Sequence, residues 1–543
     1  SGNLNSLTIG SNKNNVVGFT NSLSNSSNNA ASGDTNTITS SNSNIIGGKE
    51  NTIKVTEFSN INGKNNDVDD SDTSMIIGNT NNIQISSTSF IGGDSNEINT
   101  IISTSVTGKN NLLATVNYSN VSGLNNEITT SNTNMIGGDG NQVTSSDKNI
   151  IGGQINKLVS SDLNAVFGTY ADLKNTNQSI ISGNSQIVEN SNRIFMYGFK
   201  NNVSNFADNV LIGGLENVDI GGEQNAHFGS YNSITNNKNA LTTGKDNVSI
   251  KGDCSIITGH KNDLINSSNS ILSGYFNTIN DSSNNLLLGS DNEILNSDNN
   301  AIFGINNIIN SISQNNASFG DSNTIKNSAN SIVSGNNITI EDSDNMYILG
   351  QNNTIDTNSL NSIVGGKNNT ASFLTESILF GKNNTASNQH SSLYFGDGHN
   401  MSVGSYNSVF GANNVITDSN YTLIGGKNNE VVGTDGAYLV GRSNTNVNSN
   451  DTSVTGNNNN VVNSGNSLIS GIDNQIIDSS FSNLSGFNSY LFQSHGANAS
   501  GRDNQIIASQ YSSVSGFGNE ANNSSNSMIT GLKNTISKEN MVL

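Results

Sequence analysis

Glycine recurs at every fifteenth residue from Gly33 through Gly48, Gly63, Gly78 and Gly93 to Gly198, and this periodicity limits what the chain can become. The step lengthens to sixteen at Gly214, Gly320 and Gly366 and between Gly2 and Gly18. Elsewhere fifteen holds as far as Gly531. All 36 slots are Gly, and 31 carry Asn three residues later. The departures are Ala171, Gln186, Ile338, His399 and Ser489. A pattern that keeps phase over 543 residues belongs to a repeat protein, whose short units bury their apolar faces on one another. The sixteen-residue steps read as single-residue bulges near the glycine corner.

With the Gly as position 0, position 5 is apolar in Ile38, Ile53, Val68 and Ile83. Position 13 is apolar in Ile46, Ile61, Ile76 and Ile91. Position 8 is often Ser, and position 11 is mostly Ser, Asn or Thr. Alternation over 3-x-5 and 11-x-13 predicts two short strands per coil, separated by polar turns. The abundance of Gly, Asn and Ser would serve a helix poorly. Stacked coils, about 4.8 Å apart, bury positions 5 and 13 in a shared core. The expected fold is therefore all-β, a parallel β-solenoid of about 36 fifteen-residue coils, roughly 170 Å long at that spacing. Gly suits a corner that needs positive φ or close backbone approach. Asn at position 3 suits an amide ladder running from coil to coil. Proline is absent, in keeping with a chain that uses its backbone donors throughout. Phase-locked apolar residues exclude disorder despite the polar composition. No linker or composition shift divides residues 1–543, which read as one elongated domain.

Positions 12 and 14 flank the core residue at 13 and must face outward. Position 12 gives Ile45, Met75, Phe90, Met135 and Ile150. Position 14 alternates Gly with large residues, later Phe303, Phe319, Phe380, Phe395 and Phe410. A lone solenoid would expose this stripe, which is rare for a soluble monomer. The stripe is expected to pack against other copies of the chain. Small residues beside large ones suit interdigitation near a shared axis, with Ile45, Ile150 and the five phenylalanines in the interface.

The formal net charge of −20 disfavours a nucleic-acid partner. Acidic turns gather Asp67, Asp69, Asp70 and Asp72, and again Glu341, Asp342 and Asp344. They read as solvated turns or, alternatively, as a Ca2+ site, although no EF-hand or nonapeptide signature accompanies them. The lone Cys254 cannot form an intrachain disulfide and reads as a small, semi-buried residue. Of the five histidines, only His390 and His495 share a phase, seven coils apart and too distant to ligate one ion. His227 takes a core position and reads as a hydrogen-bonded buried histidine. Neither a nucleophile elbow nor a phosphate loop is present, and the acids are scattered, so neither enzymatic activity nor a cofactor is expected. No signal peptide or apolar span of about 18 residues appears, so no membrane contact by this segment is expected. Ser1 and Leu543 read as cut points in a longer protein.

Aromatic residues near the corner supply the binding candidates Phe199, Tyr275, Phe276, Phe487 and Phe517, joined by Tyr490. They serve either as recognition anchors or as covers for the solenoid edge or a neighbouring subunit. Ile194 to Phe206 is a second aromatic-rich stretch.

The run Ser89-Phe90-Ile91-Gly92-Gly93-Asp94-Ser95-Asn96-Glu97-Ile98 resembles the head repeat of YadA-like trimeric autotransporter adhesins. The resemblance covers almost the whole chain. It implies a left-handed β-roll, three chains per head, and display on a bacterial surface through an outer-membrane anchor outside this chain. It also implies a role in virulence by adhesion to host cell-surface proteins, matrix proteins or glycans, or to bacterial surface molecules. Departures are bulky Ile and Val where the family often has Ala, and Asn where it often has Ser. The alternative expectation is a structural fibre, such as a phage tail fibre or filament subunit, without receptor binding.

Overall fold

The computed structural model describes residues 4–8, 10–175, 177–190, 192–204 and 208–537. Gly2, Phe206 and the ends Ser1 and Leu543 lie outside the described residues. The chain forms two compact units, Ser1–Gly274 and Tyr275–Leu543. Each is a parallel β-solenoid, and no helix occurs among the described residues.

In the first unit, the coil that begins at Gly33 contributes strands Thr37–Thr39 and Ile45–Lys49. Each pairs in parallel with its counterpart one coil on, Ile38 with Ile53 and Ile46 with Ile61. The second unit repeats this, Ile325 pairing with Ile340 and Val333 with Ile348. Two sheets result: a short-strand sheet at positions 4–6, and a glycine sheet running from position 12 through the Gly to position 1. Ile38, Ile46, Ile53 and Ile61 are fully buried, as are Ile325, Val333, Ile340 and Ile348. The core is thus a double column of aliphatic side chains, each contributing about 1.5–3 kcal/mol by burial.

Polar ladders enclose that column. At position 3, Asn51 Nδ2 donates to Asn36 Oδ1 (2.9 Å) and to the Gly63 carbonyl (3.0 Å). Its own Oδ1 accepts from the Asn66 amide and side chain. The predicted amide ladder is therefore present. Positions 8 and 11 carry two more buried columns whose role the sequence reading did not assign. Ser146 Oγ accepts from Ser161 N and donates to the Thr144 carbonyl, each at 2.8 Å. Asn29 Oδ1 accepts from Asn44 N at 2.8 Å. These side chains satisfy backbone groups that would otherwise be buried without partners.

The glycine lies inside a strand rather than at a corner. Gly93 is the fourth residue of Phe90–Asp94, with φ of 114°. A Cβ there would lie 1.8 Å from the Gly108 carbonyl oxygen. The corners fall at positions 2, 7 and 10, where Thr35, Ser40 and Ser43 have φ of 58°, 53° and 59°. Their amides donate backwards to Phe19, Ser24 and Ser27 of the preceding coil, at 2.8–2.9 Å. A left-handed non-glycine residue costs about 1 kcal/mol or more, offset here by a bond at every corner.

In the coils of Gly304 and Gly350 the extra residue also lies away from the glycine. In the coil of Gly304, Ile308 still pairs with Glu293, fifteen back. Ser313, sixteen after Ser297, takes the position-8 place and donates its amide to Ser297 Oγ. The inserted residue therefore widens the position-7 turn, where Ser311 and Ile312 both have positive φ. The coil of Gly350 does the same at Thr357–Asn358, followed by Ser359 N donating to Ser343 Oγ. A turn absorbs an added residue more readily than a sheet whose glycines must remain in register.

His399 is the informative exception in the Asn ladder. Its Nδ1 accepts from Asn414 N (3.2 Å), and Nε2 meets the Phe395 carbonyl (3.2 Å). The ring is therefore neutral with its proton on Nε2. Burial lowers its pKa, more than the neighbouring carbonyl and Asp397 raise it.

Two outcomes follow from this architecture. Gly93→Ala should lower stability by about 3 kcal/mol, through forced coil separation and strain. Gly92→Ala, whose Cβ meets nothing nearer than a Phe90 ring atom at 3.5 Å, should cost under about 1 kcal/mol. Denaturant titration of both variants checks the contrast. For His399, the depressed folded pKa means that its contribution is complete above the unfolded value of about 6.5. It is lost as pH falls through the lower folded value. Unfolding midpoints of the wild type should therefore fall below about pH 6.5 by more than those of His399→Asn.

Candidate functional site

The outward face of the glycine sheet is a candidate surface in both units. Strand alternation that buries position 13 turns positions 12 and 14 to solvent. In the first unit Ile45 is 59% exposed and Ile150 45%. In the second, Phe319, Phe395 and Phe410 remain exposed, and Phe303 and Phe380 are partly covered. The partial cover comes from neighbouring rings: Phe303 stacks on Phe319 at 5.3 Å, and Phe395 on Phe380 and Phe410 at 5.6 and 5.9 Å.

Many coils pair large with small across this face, whereas Phe380 and Phe395 pair with the large Ile378 and Leu393. Ile45, Met135 and Ile150 stand two residues before Gly47, Gly137 and Gly152, whereas Phe303 and Phe319 stand two after Ala301 and Ala317. Rings also lie across glycines of adjacent coils. A Cβ on Gly365 would come within 2.1 Å of the Phe380 ring, and one on Gly213 within 2.2 Å of the Tyr197 ring. In these coils the apolar side chains adjoin one another across the face. The same positions are polar at Asn60 and Asn62, Ser105 and Thr107, and Asn120 and Ser122, and again at Asn483, Ser485, Asn498 and Ser500.

The six binding candidates occupy separate places. Phe487 and Phe517 come together through Arg502, whose guanidinium lies 5.1 and 5.6 Å from their ring centres. Position 1 of three successive coils thus forms a Phe–Arg–Phe stack, with Arg502 also paired to Asp503 at 3.3 Å. Tyr490 is half-buried on the short-strand sheet, its ring 6.2 Å from that of Phe492. Phe199 holds Lys200 Nζ over its ring at 5.2 Å. Tyr275 and Phe276 are exposed neighbours at positions 1 and 2. The sequence reading missed a further aromatic ladder at the position-10 corner. There Tyr406 stacks on Tyr421 at 4.9 Å and His390 meets Tyr406 edge-on. Consecutive tyrosines fifteen apart were the available signal.

Other expectations resolve at the level of single groups. Asp342 accepts from Asn327 Nδ2 at 2.9 Å, Glu341 pairs with Lys326, and Asp344 accepts from the Ala329 amide. The acidic turn therefore spends its carboxylates on the neighbouring coil. Asp69 faces Lys54 at 3.9 Å. Among the described residues, no three His, Cys, Asp or Glu side chains converge. Cys254 is exposed, not semi-buried, because position 10 is a left-handed corner that turns its side chain outward. His227 is fully buried and bonded to Asp219, as a core histidine requires. No described helix is long and apolar enough to cross a membrane.

No protein-family model matches the sequence, and no curated protein does. A solved structure named as an acetyltransferase, from Desulfovibrio desulfuricans G20, overlaps 36% of this chain and 61% of its own at 10% identity. Its TM-score of 0.09 carries no argument.

Phe487→Ala and Phe517→Ala should each change stability by under about 1 kcal/mol, since an exposed cation–π contact contributes little more. Leu491→Ala, in the buried column beside them, should cost about 2–5 kcal/mol. Equal losses at all three, measured by chemical denaturation, would make Phe487 and Phe517 packing residues.

Proposed function

We propose that this chain is the head of a bacterial surface adhesin, a non-catalytic homotrimer resembling the YadA-like trimeric autotransporters. The observation that carries the reading is the exposed, largely apolar stripe at positions 12 and 14. An exposed apolar stripe of this extent has no purpose against water. It has one against a partner, and a stripe that recurs at the coil pitch is best matched by another copy with the same pitch. In this reading each chain is a left-handed β-roll of about 36 fifteen-residue coils. Ile45, Ile150, Phe303, Phe319, Phe380, Phe395 and Phe410 face the other two chains.

Exposed and half-buried aromatics outside the stripe then supply the recognition surface. Phe199, Tyr275, Phe276, Phe487, Tyr490 and Phe517 would meet host cell-surface proteins, matrix proteins, glycans or bacterial surface molecules. Three identical faces raise avidity even when each contact is weak. The head would lie outside the cell, anchored to the outer membrane by regions beyond this chain.

Light scattering of the purified protein should give three copies. Ile150→Asp and Phe395→Asp should weaken association more than Asp70→Ala. A monomer at micromolar concentration would overturn the assembly. Binding to immobilised matrix proteins and glycans, reduced by Phe487→Ala in an intact trimer, supports the adhesin. A trimer that binds none of them supports the structural fibre.

A further inference from the structure

The two buried aliphatic columns of the first unit lapse together over three successive coils. In the coils that begin at Gly214, Gly229 and Gly244 the position-5 column reads Asp219, Ile234, Ser249 and the position-13 column His227, Thr242, Ile257. All six are buried, yet four are polar. The hydroxyl ladder at position 8 lapses in the same coils, where Gly222, Asn237 and Gly252 replace the usual Ser.

The replacements fit one another. Asp219 Oδ2 meets His227 Nε2 at 3.0 Å and accepts from Asn225 Nδ2 at 3.2 Å. A Cβ on Gly222 would lie 2.5 Å from Asp219 Oδ1, so the glycine makes room for the carboxylate. Asn237 bridges to Ser249 Oγ and accepts from the Gly252 amide. Satisfaction is nevertheless incomplete: Asp219 Oδ1, His227 Nδ1 and Thr242 Oγ1 are buried without a hydrogen-bond partner. The backbone gives no sign of this. Val218 and Ser233 donate their amides to the next coil at 2.8 Å, as Leu112 and Glu127 do in the uniform part of the unit. The Asn ladder also runs on through Asn217, Asn232 and Asn247.

We propose that the coils that begin at Gly214, Gly229 and Gly244 are a built-in joint, the place where the first unit opens before it unfolds as a whole. A solenoid's stability is a sum over coils and their interfaces, so a local deficit creates a boundary between cooperative segments. Here apolar burial is lost at four of six core places, and three polar atoms are desolvated without compensation. The joint is one-sided. The turn around position 8 has lost its hydroxyl ladder, while the glycine sheet keeps its backbone pairing through His227 and Thr242 and the Asn ladder persists. Opening therefore starts at the short-strand side and pivots about the glycine sheet.

Native-state hydrogen exchange of the full chain tests this directly. Amides of Val218, Ser233 and Val248 should exchange at least tenfold faster than those of Leu112, Glu127 and Gln142, which occupy the same position with equivalent bonds. The double variant Asp219→Ile with His227→Ile, which restores the ordinary core pair, should slow the first set and leave the second unchanged. Equal protection in the two sets would overturn the joint. So would faster exchange that the double variant leaves unaltered, because the polar core would not be its cause. A double variant without β structure by circular dichroism would also overturn it, since the pair would then be required for folding.

Discussion

One carbonyl per coil governs both members of the Gly-x-x-Asn signature. The oxygen of Gly33 approaches the preceding coil so closely that a Cβ on Gly18 would lie 1.9 Å away. The same oxygen accepts from Asn21 Nδ2 at 2.8 Å. Glycine at position 0 permits the approach, and asparagine at position 3 supplies the donor that the approach demands. The two residues answer a single geometric requirement, which explains why they recur together. The aliphatic columns at positions 5 and 13 and the outward stripe at 12 and 14 take their register from this contact.

The columns were legible in the sequence because strand alternation and a fixed period leave one assignment for each position. Ile38 and Ile46 could only be inside, and Ile45 only outside. The Asn ladder was legible because an amide is both donor and acceptor and can bond both neighbours. The corners were not legible. In the first unit positions 2, 7 and 10 hold Thr, Ser, Ile and Tyr as well as Asn, so residue preference marks their left-handed conformation only in the Asn-rich coils further on. The outward turn of Cys254 and the insertion at Ser311–Ile312 were misplaced for that reason. Asp219 was missed because a carboxylate at position 5 reads as a lapse in the pattern until the structure sets it against His227.

The candidate surfaces divide in the same way. The stripe follows from periodicity and was visible in full. How its side chains adjoin was not, because that depends on rings such as Phe380 lying over glycines in adjacent coils. The Phe487–Arg502–Phe517 stack needed the fifteen-residue register to bring three separate positions into one column. Tyr490 was grouped with that stack by closeness in sequence, yet it belongs to the other sheet.

The corner bonds bear on how such a gene can change. Each coil's turns hand their amides to the coil before, and its strands hand theirs to the coil after, through groups that are alike at every level. Losing or duplicating one in-phase block of fifteen codons, away from the Asp219–His227 coil, leaves each remaining group facing a partner of the same kind. A block of fourteen would leave one coil a residue long or short, and Gly would stay against Gly only where a turn takes up the difference, as at Ser311–Ile312. Chain length is thus free to drift in whole coils by recombination, while the coil itself is held fixed.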